Sequence, residues 1–380
     1  MHIIIAPDAF KGSLSAVGVA NAMECGIKRV FPEAKTYKLP IADGGEGTVE
    51  ALVMATKGSV VTHQVMGPLQ ENTDACFGLL GDGKTAVIEM AAASGLPLVP
   101  MKRRDPRLTT TYGTGQLIKA ALDKGIRKLI IGIGGSATND GGAGMAQALG
   151  VKFLDKDGVE LKFGGIHLAQ LKQIDCSGID PRLFETEILV ACDVENPLCG
   201  PNGASAVYGP QKGATDEMVK DLDAALLHFS RAAEQATGKD IAMLPGAGAA
   251  GGLGAGLLYF TNAQLRPGIE IILTTMAFEK LLPGAAFVLT GEGCTDYQTA
   301  FGKAPVGIAR LANKYNVPTI CLSGGLGKEY QAVYKEGIAA AASMVSGPLA
   351  LEECMARAEE LLEDGTERLG RLLKVGSGFK

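Results

Sequence analysis

Residues that could transfer a phosphoryl group are spread along the whole of this 380-residue sequence. Glycine-rich runs can bring backbone N–H groups close to phosphate oxygens, while carboxylates can hold Mg²⁺ or orient an acceptor hydroxyl. Three aspartates each follow a predicted strand: Asp43, Asp193 and Asp296. Three lysines stand in or beside glycine-containing loops: Lys11, Lys212 and Lys303. Together with two glycine-rich runs, these residues are typical of a site that binds a triphosphate and an acceptor hydroxyl.

The first glycine-rich run is KLIIGIGGSATNDGGAG, residues 128–144. Its apolar start, Leu129–Ile131, predicts a strand buried on both faces, and Asp140 is placed to cap a helix over Gly141–Leu149. A strand, a glycine turn, small polar residues and a helix start together favour an anion site. The candidate ligand-binding residues here are Gly134, Gly135, Ser136, Thr138 and Asn139.

The second glycine-rich run is PGAGAAGGLGAG, residues 245–256. Every glycine adds to the entropy that folding must overcome, so such a run is costly unless it serves a ligand. We therefore predict a second phosphate-binding loop. Its candidate residues are Gly248, Gly251, Gly252 and Gly254.

Two other interpretations of the first run stay open at this point. A turn between a strand and a helix can need glycine without binding anything. Alternatively, the pattern Gly132-x-Gly134-x-x-Ala137, with Asp155 about twenty residues further on, is a fair dinucleotide fingerprint and would indicate an NAD-dependent oxidoreductase. A P-loop kinase is excluded because Lys303 is followed by Ala304 rather than by serine or threonine.

The elements that would position these residues indicate an α/β protein of two domains. The N-terminal strand His2–Ala6 leads into a loop with Asp8 and Lys11, and the C-terminal third alternates strands and helices and ends in one long helix, Leu351–Leu373. We predict a Rossmann- or flavodoxin-like parallel sheet from residues 1–58 plus 284–380. A mixed α/β domain, residues 59–283, is inserted into it and begins with antiparallel strands. Segment 126–150 could belong to either domain.

Composition narrows the function classes further. The net charge of −5, without a Lys/Arg run, argues against nucleic acid or an anionic membrane as a partner. No stretch approaches the ~18 apolar residues of a membrane span. The eight cysteines form no C-x-x-C pair, and we expect no secretory leader, so a reducing cytoplasm is predicted. Only four histidines occur, none in a glycine-rich run, which makes a carboxylate the expected general base.

Seven longer motifs, distributed from end to end, resemble one known family. They are APDAFKGSLSA, ADGGEGT, IGIGGSATNDGG, CDVENPLCG, YGPQKGA, PGAGAAGGLGAG and TGEGCTDYQTAFGK. In this order they resemble the type I glycerate kinases. The resemblance implies a two-domain α/β enzyme, one domain flavodoxin-like, that phosphorylates D-glycerate from Mg-ATP. In the similar bacterial members, the product is usually 2-phosphoglycerate.

On that basis each candidate residue receives an expected role. Asp43 is expected at the acceptor hydroxyl, while Asp193 and Asp296 are expected to ligate Mg²⁺ or act as base. Asp8, Lys11 and Lys303 are expected to bind the acid substrate. The two glycine-rich loops, with Lys212, would hold ATP. We expect D-glycerate and ATP as the only partners, and a monomer or homodimer.

The sequence departs from the family pattern at two motifs. Ala9 stands where the family usually has serine. In the last motif, Cys294 replaces the arginine of a usual G-E-G-R, and Tyr297 replaces a small residue. Arginine can clamp a carboxylate or phosphate with two hydrogen bonds, whereas cysteine cannot. Cys294 is therefore the one feature that favours an alternative, a ligand-binding sensor with weak or no turnover.

Overall fold

A computed structural model describes residues 1–42 and 44–376 of the chain. Asp43, one of the three candidate aspartates, lies outside the described residues. Within the described ranges, the strands are β1 (His2–Ile5), β2 (Lys35–Lys38), β3 (Ser59–Met66), β4 (Asn72–Leu79), β5 (Thr85–Glu89), β6 (Lys128–Gly132), β7 (Lys152–Leu154), β8 (Gln173–Asp175), β9 (Glu187–Ala191), β10 (Ala263–Arg266), β11 (Ala285–Thr290), β12 (Cys294–Thr295), β13 (Thr319–Ser323), β14 (Gly325–Leu326) and β15 (Ile338–Ser343).

The α-helices in the same ranges are α1 (Ala16–Val30), α2 (Thr48–Thr56), α3 (Ala91–Ser94), α4 (Tyr112–Asp123), α5 (Ala143–Ala148), α6 (Ala204–Tyr208), α7 (Asp216–Thr237), α8 (Ala249–Phe260), α9 (Gly268–Thr275), α10 (Ala304–Asn313), α11 (Ala332–Lys335), α12 (Leu351–Ala356) and α13 (Ala358–Gly376). Ser15 caps α1 by accepting the Gly18 N–H, as its position before the apolar pattern predicts. Among the described residues, no helix combines the length and the apolar character that a bilayer crossing requires.

The chain divides into two compact units. The first unit comprises Met1–Asp43, Glu50–Thr56 and Ile269–Lys380, and the second comprises Gly44–Val49 and Lys57–Gly268. The boundaries drawn from sequence, at 58/59 and 283/284, differ from these because residues 269–283 pack with the first unit and Gly44–Val49 with the second.

The first unit contains a parallel five-stranded sheet in the order β15-β13-β11-β1-β2. Numbered within the unit alone, this order is 2-1-3-4-5, which is the flavodoxin-like arrangement. Met23 of α1 and Leu362 of α13 pack with Ile3 in one apolar cluster, whereas Val306 of α10 packs with Cys321 in another. The predicted α/β class and the pairing of N- and C-terminal strands in one sheet are thereby confirmed.

The second unit contains a mixed six-stranded sheet in the order β10-β9-β6-β5-β4-β3. Strands β5, β6, β9 and β10 run parallel, while β4 is antiparallel to both β3 and β5. Segment 126–150, unplaced from sequence, therefore supplies the central strand β6. Its residues Leu129–Ile131 are fully buried, as expected of a strand covered on both faces.

Two predicted helix boundaries are corrected by the structure. The helix expected at Gly141 begins only at Ala143, because Gly141 and Gly142 adopt positive φ angles of 63° and 76°. The single C-terminal helix is divided into α12 and α13 at Arg357.

The dinucleotide interpretation also fails on geometry. Strand β7 lies outside the main sheet and pairs with β8 in a separate antiparallel pair. Asp155 follows β7 and closes a turn, accepting the N–H groups of Asp157 and Val159 at 2.9 Å each. In a dinucleotide-binding fold, the acidic residue that hydrogen-bonds the ribose lies at the end of the strand next to the glycine-rich turn. Asp155 does not lie at such a position, because β7 is not part of that sheet.

Candidate functional site

In the second unit, the first glycine-rich loop and Asp193 emerge from the same edge of the sheet. Strands β6 and β9 are parallel neighbours, with Gly132 opposite Ala191 at their carboxyl ends. The loop continues from Gly132, and Asp193 follows β9 by two residues. Carboxyl ends of parallel strands are where open α/β sheets bind ligands.

Segment Gly44–Val49 crosses this edge as well. A Cβ at Gly132 would lie 2.2 Å from the Gly44 carbonyl oxygen, so the two backbones are in direct contact. Glu89, at the end of β5, accepts the Val49 N–H at 2.7 Å. Burial raises the pKa of Glu89, while backbone hydrogen bonds from this segment lower it. Glu89 was not predicted to be a functional residue from the sequence. Its hydrogen bonds to the backbone at the end of the ADGGEGT motif appear only in the folded structure.

The exposed start of the glycine loop presents backbone donors. Gly134 and Gly135 are exposed, whereas Ser136 retains only 8% exposure. The N–H groups of Gly134 and Gly135 find no hydrogen-bond acceptor within the described part of the chain, whereas the Ser136 N–H closes the turn over these two glycines. Gly135 has a φ of 74°, a conformation that glycine adopts without strain. Consecutive N–H groups of this kind form the concave anion sites seen in phosphate-binding loops.

The remainder of the loop is buried and held from within. Asp140, at 1% exposure, accepts hydrogen bonds from the Thr111 hydroxyl and N–H at 2.8 Å each, and from the N–H groups of Gly142 and Gly144. Burial raises the pKa of Asp140, and these hydrogen bonds oppose that rise. The Asn139 side chain donates to Ser205 Oγ at 2.9 Å. Asp140 and Asn139 therefore organise the loop from its inner side.

The second glycine-rich run packs directly behind the first. A Cβ at Gly251 would lie only 1.9 Å from the Thr138 carbonyl oxygen, and the Gly141 N–H donates to the Gly251 carbonyl at 3.0 Å. A Cβ at Gly248 would lie 2.1 Å from the Pro197 carbonyl oxygen, and one at Gly254 would lie 2.3 Å from that of Gly246. Packing of backbone on backbone thus accounts for the glycines of this run, including Gly252.

Lys212 lies beneath the loop rather than on its surface. Its side chain is 2% exposed, and its Nζ donates to Ser136 Oγ at 2.7 Å and to the Thr138 carbonyl at 2.6 Å. Burial lowers the pKa of Lys212 to about 7, and the charge of Asp140 acts in the opposite direction. The lysine predicted to touch ATP therefore contacts the loop itself.

Asp193 remains exposed at the sheet edge. Its Oδ1 accepts the Gly268 N–H at 2.9 Å, which ties the ends of β9 and β10 together. No group of three or more acidic, histidine or cysteine side chains suited to a metal exists among residues 1–42 and 44–376. Kinases commonly hold Mg²⁺ by one or two carboxylates together with substrate phosphates. Asp193 is a candidate for one such carboxylate.

In the first unit, a second set of candidates lies where the strand order reverses, between β1 and β11. The Asp8 N–H donates to the Gly291 carbonyl at 2.8 Å, and a Cβ at Gly293 would lie 3.7 Å from the backbone nitrogen of Lys11. The loops after β1 and β11 are therefore adjacent. Flavodoxin-like sheets bind their ligands at this reversal point.

Glu292 is the central side chain of this set, and sequence reasoning missed it. It is 6% exposed, and its Oε1 accepts hydrogen bonds from the hydroxyls of Thr299 at 2.6 Å and Thr295 at 3.1 Å. Its Oε2 lies 3.6 Å from Lys303 Nζ, and Lys303 itself is 43% exposed. A buried carboxylate thus anchors a lysine that still reaches solvent. A glutamate between two glycines at a strand end was the available signal.

Comparison with known proteins decides the family. The sequence profile described as the glycerate kinase family matches residues 3–374. The chain belongs to the glycerate kinase family. It is 53% identical over 375 residues to the glycerate kinase of Bacillus subtilis strain 168, covering 99% of this chain and 98% of that protein. It is 49% identical over 376 residues to the glycerate 2-kinase of Escherichia coli strain K12, covering 99% of each chain.

A solved structure matches along the same length. The crystal structure of "putative glycerate kinase 2" from Salmonella typhimurium LT2 superposes with a TM-score of 0.91 at 49% identity, covering 100% of this chain and 99% of that one. The two-unit α/β architecture described above is therefore shared with a glycerate kinase family structure.

Two residues of the last family motif have local structural roles here. Asp296 caps the 3-10 helix Tyr297–Phe301 by accepting the Gln298 N–H at 2.8 Å, with Thr299 completing a reciprocal capping pair. Cys294 is exposed. Partial burial, then the neighbouring carboxylates Asp296 and Glu292, raise the pKa of the Cys294 thiol. At neutral pH this position therefore carries no charge to offer a ligand.

Thr138 and Thr111 allow a matched test of the loop's interior. Both are fully buried, but Thr138 Oγ1 finds no partner in the described residues, whereas Thr111 Oγ1 bonds Asp140 and the Met145 N–H. We expect Thr138→Val to leave the free energy of unfolding unchanged or to raise it by up to about 2 kcal/mol, because it removes a buried hydroxyl without a partner, and we expect Thr111→Val to lower it by about 1–3 kcal/mol. Chemical denaturation measures both.

Because Thr138 has no exposed surface, the KM for ATP is expected to stay within about threefold in Thr138→Val. A larger rise would mean that this hydroxyl reaches the nucleotide.

The buried ammonium of Lys212 predicts a pH dependence of stability. Its pKa is about 7 in the folded chain against an ordinary value of 10.5. Between these values the unfolded chain binds more protons, so the free energy of unfolding rises with pH. Below pH 7 both states are charged and the burial cost is fully present. Wild type is therefore expected to gain up to about 1.4 kcal/mol per pH unit relative to Lys212→Met between pH 7 and 10.

Denaturant titrations at pH 7, 8, 9 and 10 measure this difference in slope. Lys220→Met, which removes an exposed lysine of α7, is the control and should keep the wild-type slope. Parallel pH profiles for wild type and Lys212→Met would contradict the shifted titration.

Proposed function

We propose that the protein phosphorylates D-glycerate from Mg-ATP to give 2-phosphoglycerate, as a step in organic acid breakdown. The observation that carries the proposal is the end-to-end match to the glycerate kinase family, with 49% identity to the E. coli protein named glycerate 2-kinase. The 2-hydroxyl is proposed as the acceptor because that relative's name specifies it. No residue set described above favours a different reaction class.

The phosphates of ATP are proposed to bind at the start of the first glycine-rich loop. The N–H groups of Gly134 and Gly135, which have no acceptor among the described residues, lie at the carboxyl end of β6 and suit phosphate oxygens, and the Ser136 hydroxyl is beside them. Asn139, Thr138 and the second glycine-rich run lie behind this surface and hold its shape. Pre-shaped donors stabilise charge without reorganising during the reaction.

Asp193 is the proposed Mg²⁺ ligand of this loop. It is an exposed carboxylate on the strand next to β6, and its two oxygens suit a cation that prefers oxygen and keeps several waters. When bound, Mg²⁺ would neutralise charge on the phosphates. Asp296 fits this role less well because its carboxylate already caps a 3-10 helix.

The acid substrate is proposed to bind in the first unit, at the ends of β1 and β11. Lys303, anchored by Glu292, is the proposed partner of the glycerate carboxylate, and Lys11 contributes a second exposed ammonium. Asp8 lies in the same loop as Lys11. We further propose Asp43, in the segment between β2 and α2, as the group that orients or deprotonates the acceptor hydroxyl.

A cytoplasmic enzyme that acts as a monomer or homodimer is proposed. All eight cysteines are free thiols, as in a reducing compartment. Partners beyond ATP and glycerate are not required by the chemistry.

The direct test is ADP formation on addition of D-glycerate to the purified protein with Mg-ATP. We expect turnover that saturates with D-glycerate and is absent with lactate, which lacks the second hydroxyl, and with EDTA present. ADP formation that does not depend on D-glycerate would reject the proposed acceptor.

A further inference from the structure

The contact between Lys212 and Ser136 has a chemical consequence for the loop. As an ammonium, the form that a bound polyphosphate favours, Lys212 only donates hydrogen bonds, so Ser136 Oγ is then the acceptor of the 2.7 Å contact. The hydroxyl proton of Ser136 is then directed elsewhere. No acceptor for it is found in the part of the chain that the structure describes.

The exposed fraction rises from Lys212, through Ser136, to the two glycines at the start of the loop. Lys212 is 2% exposed and Ser136 is 8% exposed, while Gly134 and Gly135, next in the chain, are exposed. The ammonium therefore cannot meet a ligand on the loop surface, whereas the Ser136 hydroxyl is adjacent to that surface. A hydroxyl that accepts from a cation becomes a stronger donor, because hydrogen bonds in a chain polarise one another.

The position of Lys212 is itself tightly fixed. It ends the 3-10 helix Pro210–Lys212, and a Cβ on the following Gly213 would lie 2.6 Å from the Arg104 carbonyl oxygen. Its second contact, with the Thr138 carbonyl at 2.6 Å, ties it to the far side of Ser136. Asp140, buried in the same loop, balances its charge.

We propose that Lys212 acts on the nucleotide through Ser136: the buried ammonium holds and polarises the Ser136 hydroxyl, which donates a hydrogen bond to a phosphate oxygen of ATP. Lys212 is thus a positioning residue, and Ser136 makes the ligand contact. This inference rests on the proposed kinase function. It differs from a direct lysine–phosphate contact and from a lysine that only supports the fold.

A double-mutant cycle tests the proposal. Calorimetry with a non-hydrolysable Mg-ATP analogue gives the dissociation constant for wild type, Ser136→Ala, Lys212→Met and the double variant. Each single change is expected to weaken binding about tenfold or more. Because the lysine acts through the serine, Lys212→Met in the Ser136→Ala background is expected to weaken binding less than about threefold further.

Additive effects in this cycle would overturn the proposal, since they would mean that Lys212 acts independently of Ser136. Should Lys212→Met fail to fold, Ser136→Ala alone still decides. It is expected to raise the KM for ATP about tenfold and leave the KM for D-glycerate unchanged, and an unchanged KM for ATP contradicts the proposal. Ser230→Ala is the control, because the buried Ser230 hydroxyl donates to the Leu227 carbonyl at 2.9 Å within α7, and its loss should leave both KM values unchanged. If the wild-type protein binds no nucleotide, the proposed kinase function fails. If it binds nucleotide but the two substitutions are additive, only the inference about Lys212 and Ser136 fails.

Discussion

Lys303→Met is expected to raise the KM for D-glycerate by about 10- to 150-fold, with the KM for ATP unchanged. A hydrogen bond to a charged group contributes roughly 1.5–3 kcal/mol, and each 1.4 kcal/mol is tenfold in affinity. The lysine is 43% exposed, so methionine costs the fold little, and Glu292 keeps its hydrogen bonds to Thr295 and Thr299. Steady-state kinetics with each substrate varied in turn measure the effect.

Lys328→Met is the matched control for that experiment. Lys328 is also in the first unit, is 82% exposed, and pairs only with the neighbouring Glu329 at 3.6 Å among the contacts found in the described residues. Its loss should leave both KM values within about twofold, as for other exposed ion pairs. A KM for glycerate that stays within threefold in Lys303→Met would remove Lys303 from the substrate site. Equal rises for both substrates would indicate a general disturbance instead.

Asp193→Asn is expected to lower kcat by a factor of about 10² to 10⁴, whether the carboxylate ligates Mg²⁺ or acts as base. Asparagine keeps a side-chain oxygen that can accept the Gly268 N–H, so the ends of β9 and β10 should stay tied together. The variant therefore removes the charge but not the packing. Stopped assays with saturating substrates measure kcat, and varying the Mg²⁺ concentration separates a ligand from a base.

Glu195→Gln provides the comparison. Glu195 is an exposed carboxylate two residues further along the same loop and should tolerate loss of its charge with kcat nearly unchanged. If Asp193→Asn kept kcat within a few-fold, Asp193 would have no part in the chemistry. A high Mg²⁺ concentration that restores activity in Asp193→Asn would favour the ligand role.

Much of the scaffold followed from local pattern. Ile3, Ile4 and Ile5 form an uninterrupted β-branched run, and the structure buries all three in a parallel sheet, where both faces are covered. Helix α7 spans Asp216–Thr237, because Thr215 caps its start and Gly238 ends it in a left-handed conformation. These signals depend on neighbours in sequence, which the chain displays directly.

The glycine-rich runs were harder to interpret, because glycine is needed wherever the backbone is approached closely, whether by a ligand or by another backbone segment. The run 245–256 looked like a second phosphate loop, yet Gly251 is small because the Thr138 carbonyl lies against it. That partner is distant in sequence. Only the assembled fold shows which glycines lie against another backbone segment and which are exposed.

Side-chain direction was the other feature that sequence could not supply. Lys212 and Lys303 both follow glycine-containing loops, but one is buried under the first loop and the other reaches solvent beside Glu292. Asp296, predicted to be catalytic, caps a short helix, a role that aspartate also suits. Glu292 was missed because its partners Thr299 and Lys303 lie in the segment that follows it, and only the folded turn brings them back to its carboxylate.

The most direct test of the central claim is the phosphorus NMR spectrum of the purified protein with Mg-ATP and D-glycerate, followed with time. The account predicts that the signals of 2-phosphoglycerate and ADP appear together while ATP declines. A 3-phosphoglycerate signal would retain the kinase and contradict the proposed acceptor hydroxyl. Intact ATP, with calorimetry still detecting bound glycerate and nucleotide, would contradict the kinase and favour a sensor, and Cys294→Arg would then be the variant to make.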